Sequence, residues 1–183
     1  MTEQQKGRRA IEVGPTGKTV AVNLARLRDR RGLTTRQLSG ALERVGRPIP
    51  PSGITRMEKG ERVVTADDLA ALAAVLGVSP SALLVPLADE PTASVDVTGA
   101  GEVPAVDAWQ WANGQRPLKL TPGKEQTELL EHQLFGMPQW LRSYRTELHE
   151  RVSADFPGQI ETDPATGLPV IVLRRDPDGG TDG

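Results

Sequence analysis

The chain has 183 residues and no cysteine, so neither a disulfide framework nor a thiolate metal site is available to it. It holds no apolar run of about 18 residues that would span a membrane, and its opening "MTEQQKGRRA" lacks the apolar core of a signal peptide, which fits the cytoplasm. The net charge of −2 hides an asymmetry: residues 1–87 carry 14 Lys/Arg against 8 Asp/Glu, residues 88–183 carry 8 against 16, and all six aromatic residues lie in the second half.

Two halves that differ in charge and core chemistry read as two modules, and the basic one is suited to a polyanion partner. Arginine outnumbers lysine, and Ala, Gly and Pro are abundant, as in a high-GC bacterial genome. Residues 1–18 read as a flexible basic arm. Its "GPTGKT" imitates a phosphate-binding loop, but that loop needs its first glycine five residues before Gly17, where Glu12 stands. A carboxylate there repels the ligand, so the stretch reads instead as a lead-in with Thr16 or Thr19 capping a helix.

From Val20, the spacing of Val20, Leu24 and Leu27 makes one helical face that Gly32 ends. Thr34 and Gln37 form a capping box for a second helix with Leu38, Leu42 and Val45 inward. Three prolines in "PIPP" break the chain before a short helix through Ile54 and Met57, stopped at Gly60. Thr65 and Asp68 open a fourth helix, with Leu69, Leu72, Ala73 and Leu76 buried and Gly77 closing it. Ser79 and Pro80 start a fifth. Helices this short are marginal alone and must share one core.

The order "LARLRDRRGLTTRQLS", "ITRMEKGER", "DDLAALAAVLGVSPSALL" resembles the helix-turn-helix domain of the Cro/phage-repressor (XRE) type over residues 19–87. The resemblance implies that the second and third helices form the DNA-binding unit, the third lying in the major groove. Ser52, Gly53, Thr55 and Arg56 would then approach base edges, with Ile54 and Met57 as inward anchors. It further implies phosphate contacts from Thr35 and Arg36 at the second helix's N-terminus, and backbone contacts from Lys59 and Arg62. Arg47, in the proline-containing connection, is counted with these DNA-contacting cations. Arg28 and Glu58 match a structural ion pair between the first and third helices. The chain departs from the family in a longer connection around "VGRPIPP", and in Pro51 and Gly53 where long polar side chains are usual. Among the base-facing candidates, only Arg56 can make a bidentate contact.

Residues 88–105 are rich in Pro, Gly, Ala and acids and read as a linker. Ala100-Gly101 resembles the bond cut in self-cleaving phage repressors, but the serine–lysine pair that cleavage needs cannot be built. Ser143 and Ser153 follow the bond, and no lysine comes after either. Residues 106–175 read as a small α+β module of two helices, 124–134 and 138–152, and a β-hairpin turning at Asp163–Gly167. Trp109 and Trp111 are assigned to its core, and Leu141, Tyr144, Leu148 and Val152 to a buried stripe. Residues 176–183 read as a disordered tail. His132 and His149 belong to no ligand motif, so neither metal nor cofactor is expected, and no carboxylate spacing points to an enzyme.

The sequence therefore predicts an all-α helix-turn-helix bundle of five short helices followed by an α+β module. The expected function is a double-stranded-DNA-binding transcriptional regulator, by default a repressor. It is expected to act as a homodimer through residues 106–183, a module that also suits a protein or small-molecule partner. The alternative is an adaptor or antitoxin-like partner binder that keeps the fold but no longer reads DNA.

Overall fold

The computed structural model describes residues 13–141, 158–162 and 169–173. The chain divides into two compact units, one ending at Asn113 and the other beginning at Gly114.

The first unit opens with α1 (Pro15–Arg30), α2 (Thr35–Arg44), α3 (Pro51–Glu58), α4 (Ala66–Leu76) and the single turn α5 (Ser81–Leu84). Their apolar stripes converge on one core of Leu24, Leu38, Leu42, Ile49, Ile54, Met57, Leu72, Ala73, Leu76 and Leu83. The turns between helices follow from local chemistry. Gly32 adopts φ +63° after α1, its N–H donating to Asp29 O while Leu33 N–H reaches Arg28 O, the paired bonds that close a helix through a left-handed residue. Thr34 Oγ1 accepts from Gln37 N–H (3.2 Å), and Gln37 Oε1 accepts from Thr34 N–H (2.8 Å), completing the capping box of α2. Thr65 and Asp68 repeat that exchange at α4.

Three local expectations change. The first helix starts at Pro15, five residues before the apolar stripe, because proline at the first helical position needs no hydrogen-bond partner. Val45 is 55% exposed: it caps α2, and the chain turns away at Gly46 (φ +79°) before it can reach the core. Ile49 takes the inward place instead, and Ser39 Oγ donates to its carbonyl at 2.6 Å. The fifth helix begins one residue late. Pro80 is its N-cap, and Ser79 Oγ pairs with Ser81 Oγ.

The segment expected as a linker is structured. Strands β1 (Ser94–Val97) and β2 (Gly101–Pro104) pair antiparallel, with Val95 opposite Val103 and Val97 opposite Gly101. Ala100 N–H donates to Val97 O across the turn, and Gly99 takes the positive φ (+86°) that the turn demands. Ala100-Gly101 thus lies in a hairpin turn. Helix α6 (Ala105–Ala112) follows directly and packs on β1, β2 and α5. Val95, Val97, Val103, Ala105 and Ala108 are buried there. The two tryptophans are not core: a helix splays them, and small alanines take the contact face, leaving Trp109 45% and Trp111 39% exposed.

Polar contacts tie this extension to the bundle and, within the bundle, α5 to α1. Thr16 N–H donates to Thr98 Oγ1 (3.1 Å), and Thr98 N–H donates to Thr16 Oγ1 (3.0 Å), so a residue of the hairpin turn caps α1. The "GPTGKT" stretch is used for that docking. Asn23, buried on α1, donates through Nδ2 to Leu83 O and Val85 O at the end of α5. Ser81 Oγ donates to Asn113 Oδ1 at 2.9 Å.

In the second unit, α7 (Glu125–Gly136) falls on the first expected helix, and β3 (Gly158–Thr162) pairs antiparallel with β4 (Pro169–Leu173), Ile160 opposite Ile171. Glu128 and Glu125 accept from Thr121 N–H and Gly123 N–H, satisfying donors before the helix. The expected turn at Asp163–Gly167, most of the second expected helix with Tyr144, Leu148 and Val152, His149, and the tail 176–183 lie outside the described residues. Leu141 is half-buried.

Candidate nucleic-acid interface

Helix α3 has two chemically distinct faces. Gly53, Ile54 and Met57 are buried, and the helix packs against α1 and α2. Ser52, Arg56 and Lys59 are exposed and Thr55 is half-exposed. These four recur at i, i+3, i+4 and i+7, which places them on one stripe of a helix. No carboxylate belongs to that stripe. Thr55 Oγ1 donates to Pro51 O within the helix, and Arg56 Nη2 reaches Glu61 O at 3.5 Å, too long to hold it firmly.

Thr35 and Arg36 occupy the first turn of α2, half-exposed and exposed respectively, where unpaired backbone N–H groups and the helix dipole favour an anion.

Arg28 and Glu58 meet: Nε donates to Oε1 at 2.5 Å and Nη2 to Oε2 at 3.1 Å, with both side chains largely buried. Arg28 Nη1 also donates to Leu33 O, so one guanidinium holds the end of α1 and the end of α3 together. The hydrogen bonds that Arg28 donates to Glu58, reinforced by the Glu58 charge against a smaller burial penalty, raise the Arg28 pKa.

Arg47 and Arg62, both expected to contact DNA, also pair with Asp68. Arg47 Nε donates to Asp68 Oδ1 at 2.8 Å and Nη2 to Thr65 Oγ1 at 3.2 Å. Arg62 Nη2 lies 3.7 Å from Asp68 Oδ2. Asp68 is 1% exposed, and burying an unpaired carboxylate is costly, so it draws in the nearest cations. Burial alone would raise its pKa. Hydrogen bonds from Arg47 and Thr65, with the Arg47 charge, outweigh that and hold it below the ordinary aspartate range. A Cβ on Gly53 would lie 2.7 Å from Arg62 Nη1 and 3.2 Å from Ile49 Cγ2, so Arg62 and Ile49 lie close against this glycine.

Three structural residues were missed in the sequence. Asn23 sits between Val20, Leu24 and Leu27 on the buried stripe, where a polar side chain must find a partner. Asp68 was read only as a capping residue. Arg31 donates to Leu76 O at 2.9 Å, satisfying the end of α4 with a cation, although nothing local in the sequence marks it.

Among the described residues, no His, Cys, Asp or Glu cluster is arranged to hold a metal, and no helix is long and apolar enough to cross a membrane.

A family model described as "Helix-turn-helix domain" matches residues 20–84. No match was found among curated proteins. Among solved structures, the clp gene regulator ClgR from C. glutamicum is 25% identical, with 38% of this chain and 83% of that chain covered and a TM-score of 0.34. Hydroxypropylphosphonic acid epoxidase from S. wedmorenis is 26% identical, with 45% of this chain covered and a TM-score of 0.33. This chain spans only 38% of that epoxidase's length. The family match covers the same five helices whose capping, core and two-faced α3 are described above. Residues 20–84 are therefore similar to a helix-turn-helix domain, in agreement with the resemblance read from the sequence.

Proposed function

We propose that this protein binds double-stranded DNA through α2 and α3 and regulates transcription, by default as a repressor that occludes a promoter. The observation that carries this reading is the α3 stripe: Ser52, Thr55, Arg56 and Lys59 stand free of carboxylates, opposite the buried Ile54 and Met57. With α3 in the major groove, Arg56 is the base-reading residue and Ser52 and Thr55 add single hydrogen bonds. Lys59, Arg36 and the N-terminus of α2 take phosphates and set the register. Gly53, expected near the base edges, is buried, and Pro51 is exposed but has no hydrogen-bonding side chain, so selectivity leans on Arg56 and on DNA shape. Arg47 and Arg62 serve the fold first, through Asp68.

Such domains act as dimers on half-sites about one helical turn apart. The second unit is the proposed dimerisation module, because Leu130, Leu134, Phe135 and Trp140 are exposed on it.

A second reading is favoured by the arginines. Arg26, Arg28, Arg31, Arg47 and Arg62 all have partners within the fold, which thins the basic surface and suits an adaptor that no longer reads DNA. Affinity for random duplex as a function of salt separates the two. A DNA reader loses affinity steeply, with a log–log slope of about −0.9 per phosphate neutralised. No binding to duplex at low salt would leave the adaptor reading. Selection from a genomic fragment pool would then give the operator.

A further inference from the structure

A cavity of about 220 Å³ opens between the first turns of α1 and the segment leading into α4. Its apolar wall is Val13, Val20, Val63, Val64, Leu69 and Leu84, and no aromatic ring lines it among the described residues, which disfavours a stacked base or phenyl group. Thr16, Thr65 and Arg62 supply the polar edge, and no carboxylate lines the space among the described residues. At about 30 Å³ per water the volume equals roughly seven waters, less than a drug-sized ligand needs.

The charge at the edge is unevenly shared. Arg47 takes Asp68 at 2.8 Å, whereas Arg62 stands 3.7 Å from the same carboxylate. Asp67 approaches Arg47 at 3.8 Å, but it is 83% exposed and screened by water. Arg62 is thus the cation less committed to Asp68, and it lines the cavity.

We propose that this cavity is an effector site for a short, branched aliphatic carboxylate. The tail lies against the valines and leucines, and the carboxylate meets the Arg62 guanidinium. Occupation weakens DNA binding, a consequence that rests on the DNA reading above. The link is Arg62 itself, whose Nη1 occupies the space a Cβ on Gly53 would need, in the first turn of α3. A carboxylate that draws the guanidinium into the cavity removes it from that turn and from Asp68. Coupling of this kind is reciprocal, so DNA weakens the effector by the same factor.

The test is calorimetric titration of isovalerate into the full chain without DNA. Saturable one-site binding is expected, with isovaleramide about tenfold weaker because it lacks the charge. Arg62→Gln should bring isovalerate down to the level of the amide. Val63→Phe, at a partly exposed position lining the cavity, should abolish binding of both while preserving the thermal midpoint. Absence of saturable binding, or binding that both variants leave unchanged, overturns the site. In a parallel anisotropy assay, saturating isovalerate should lower duplex affinity for the natural chain and not for Arg62→Gln. Unchanged duplex affinity overturns the coupling, and a chain that binds no duplex even without isovalerate overturns the coupling together with the DNA reading, while the titration still decides the site.

Discussion

The five-helix bundle and the hairpin-plus-α6 extension belong to one compact unit but are held by different means. The bundle centres on large side chains that exclude solvent completely: Leu24, Leu38, Leu42, Ile54, Met57, Leu72, Leu76 and Leu83. The extension buries mainly valines and alanines and is fastened at its edges by Thr16–Thr98 and Ser81–Asn113. A region with so little apolar volume cannot form a core of its own. It docks on a bundle that already exists, and in return it caps α1.

The sharpest way to probe that difference is to remove volume from each region. Ile54→Ala, in the closed core, should cost about 2–5 kcal/mol in urea unfolding, whereas Val97→Ala in the hairpin should cost well under half as much. Equal losses would mean that the extension is as tightly packed as the bundle.

Truncation tests the dependence directly. A fragment ending at Leu87 loses the Thr98 cap and the cover over Val85, and should be about 2–3 kcal/mol less stable than one ending at Asn113. Matching thermal midpoints would make the extension an appendage. Sedimentation of the longer fragment also checks the proposed dimer, since it should be monomeric if the interface lies beyond Gly114.

Asp68→Asn addresses the polar link between the proline-containing connection and α4. At neutral pH it should cost about 1.5–3 kcal/mol, the range for hydrogen bonds to a charged group. The sign of the pH dependence follows from a folded-state pKa held below its unfolded value. The carboxylate's contribution is complete above the unfolded value and disappears as pH falls through the folded one. The gap between natural and variant chains should therefore be constant above about pH 5 and close below the ordinary aspartate value of ~3.9. A gap that persists at lower pH would assign the effect to packing.

Arg56→Ala should weaken operator binding by about 1–3 kcal/mol and random duplex less, with the circular dichroism spectrum unchanged. Equal losses on both duplexes would demote Arg56 to a phosphate contact. Thr98→Ala, the mildest change, should lower stability by about 1 kcal/mol through the lost cap on α1. No loss would show that water replaces the hydroxyl.

Much of the bundle was legible because its signals are local. A capping box spans four residues, a glycine stop acts within one turn, and an apolar stripe recurs every three or four positions. Thr34–Gln37, Gly77 and the Leu24 and Leu72 stripes could accordingly be read from the chain itself. Family resemblance added Arg28 with Glu58, a pairing across thirty positions that no local rule supplies.

What only the tertiary structure decided is where distant polar groups meet. Arg47, Arg62 and Asp68 each have several plausible partners in sequence. The choice is made when α4 buries Asp68 and the connection before α3 brings a guanidinium within reach, because an uncompensated buried carboxylate is the costliest alternative. The same holds for the Pro/Gly-rich segment after Leu87. Its composition resembles a linker, and it becomes a hairpin because α1 and α6 pack on it and Thr16 meets its turn, contacts that four-residue strands lack on their own.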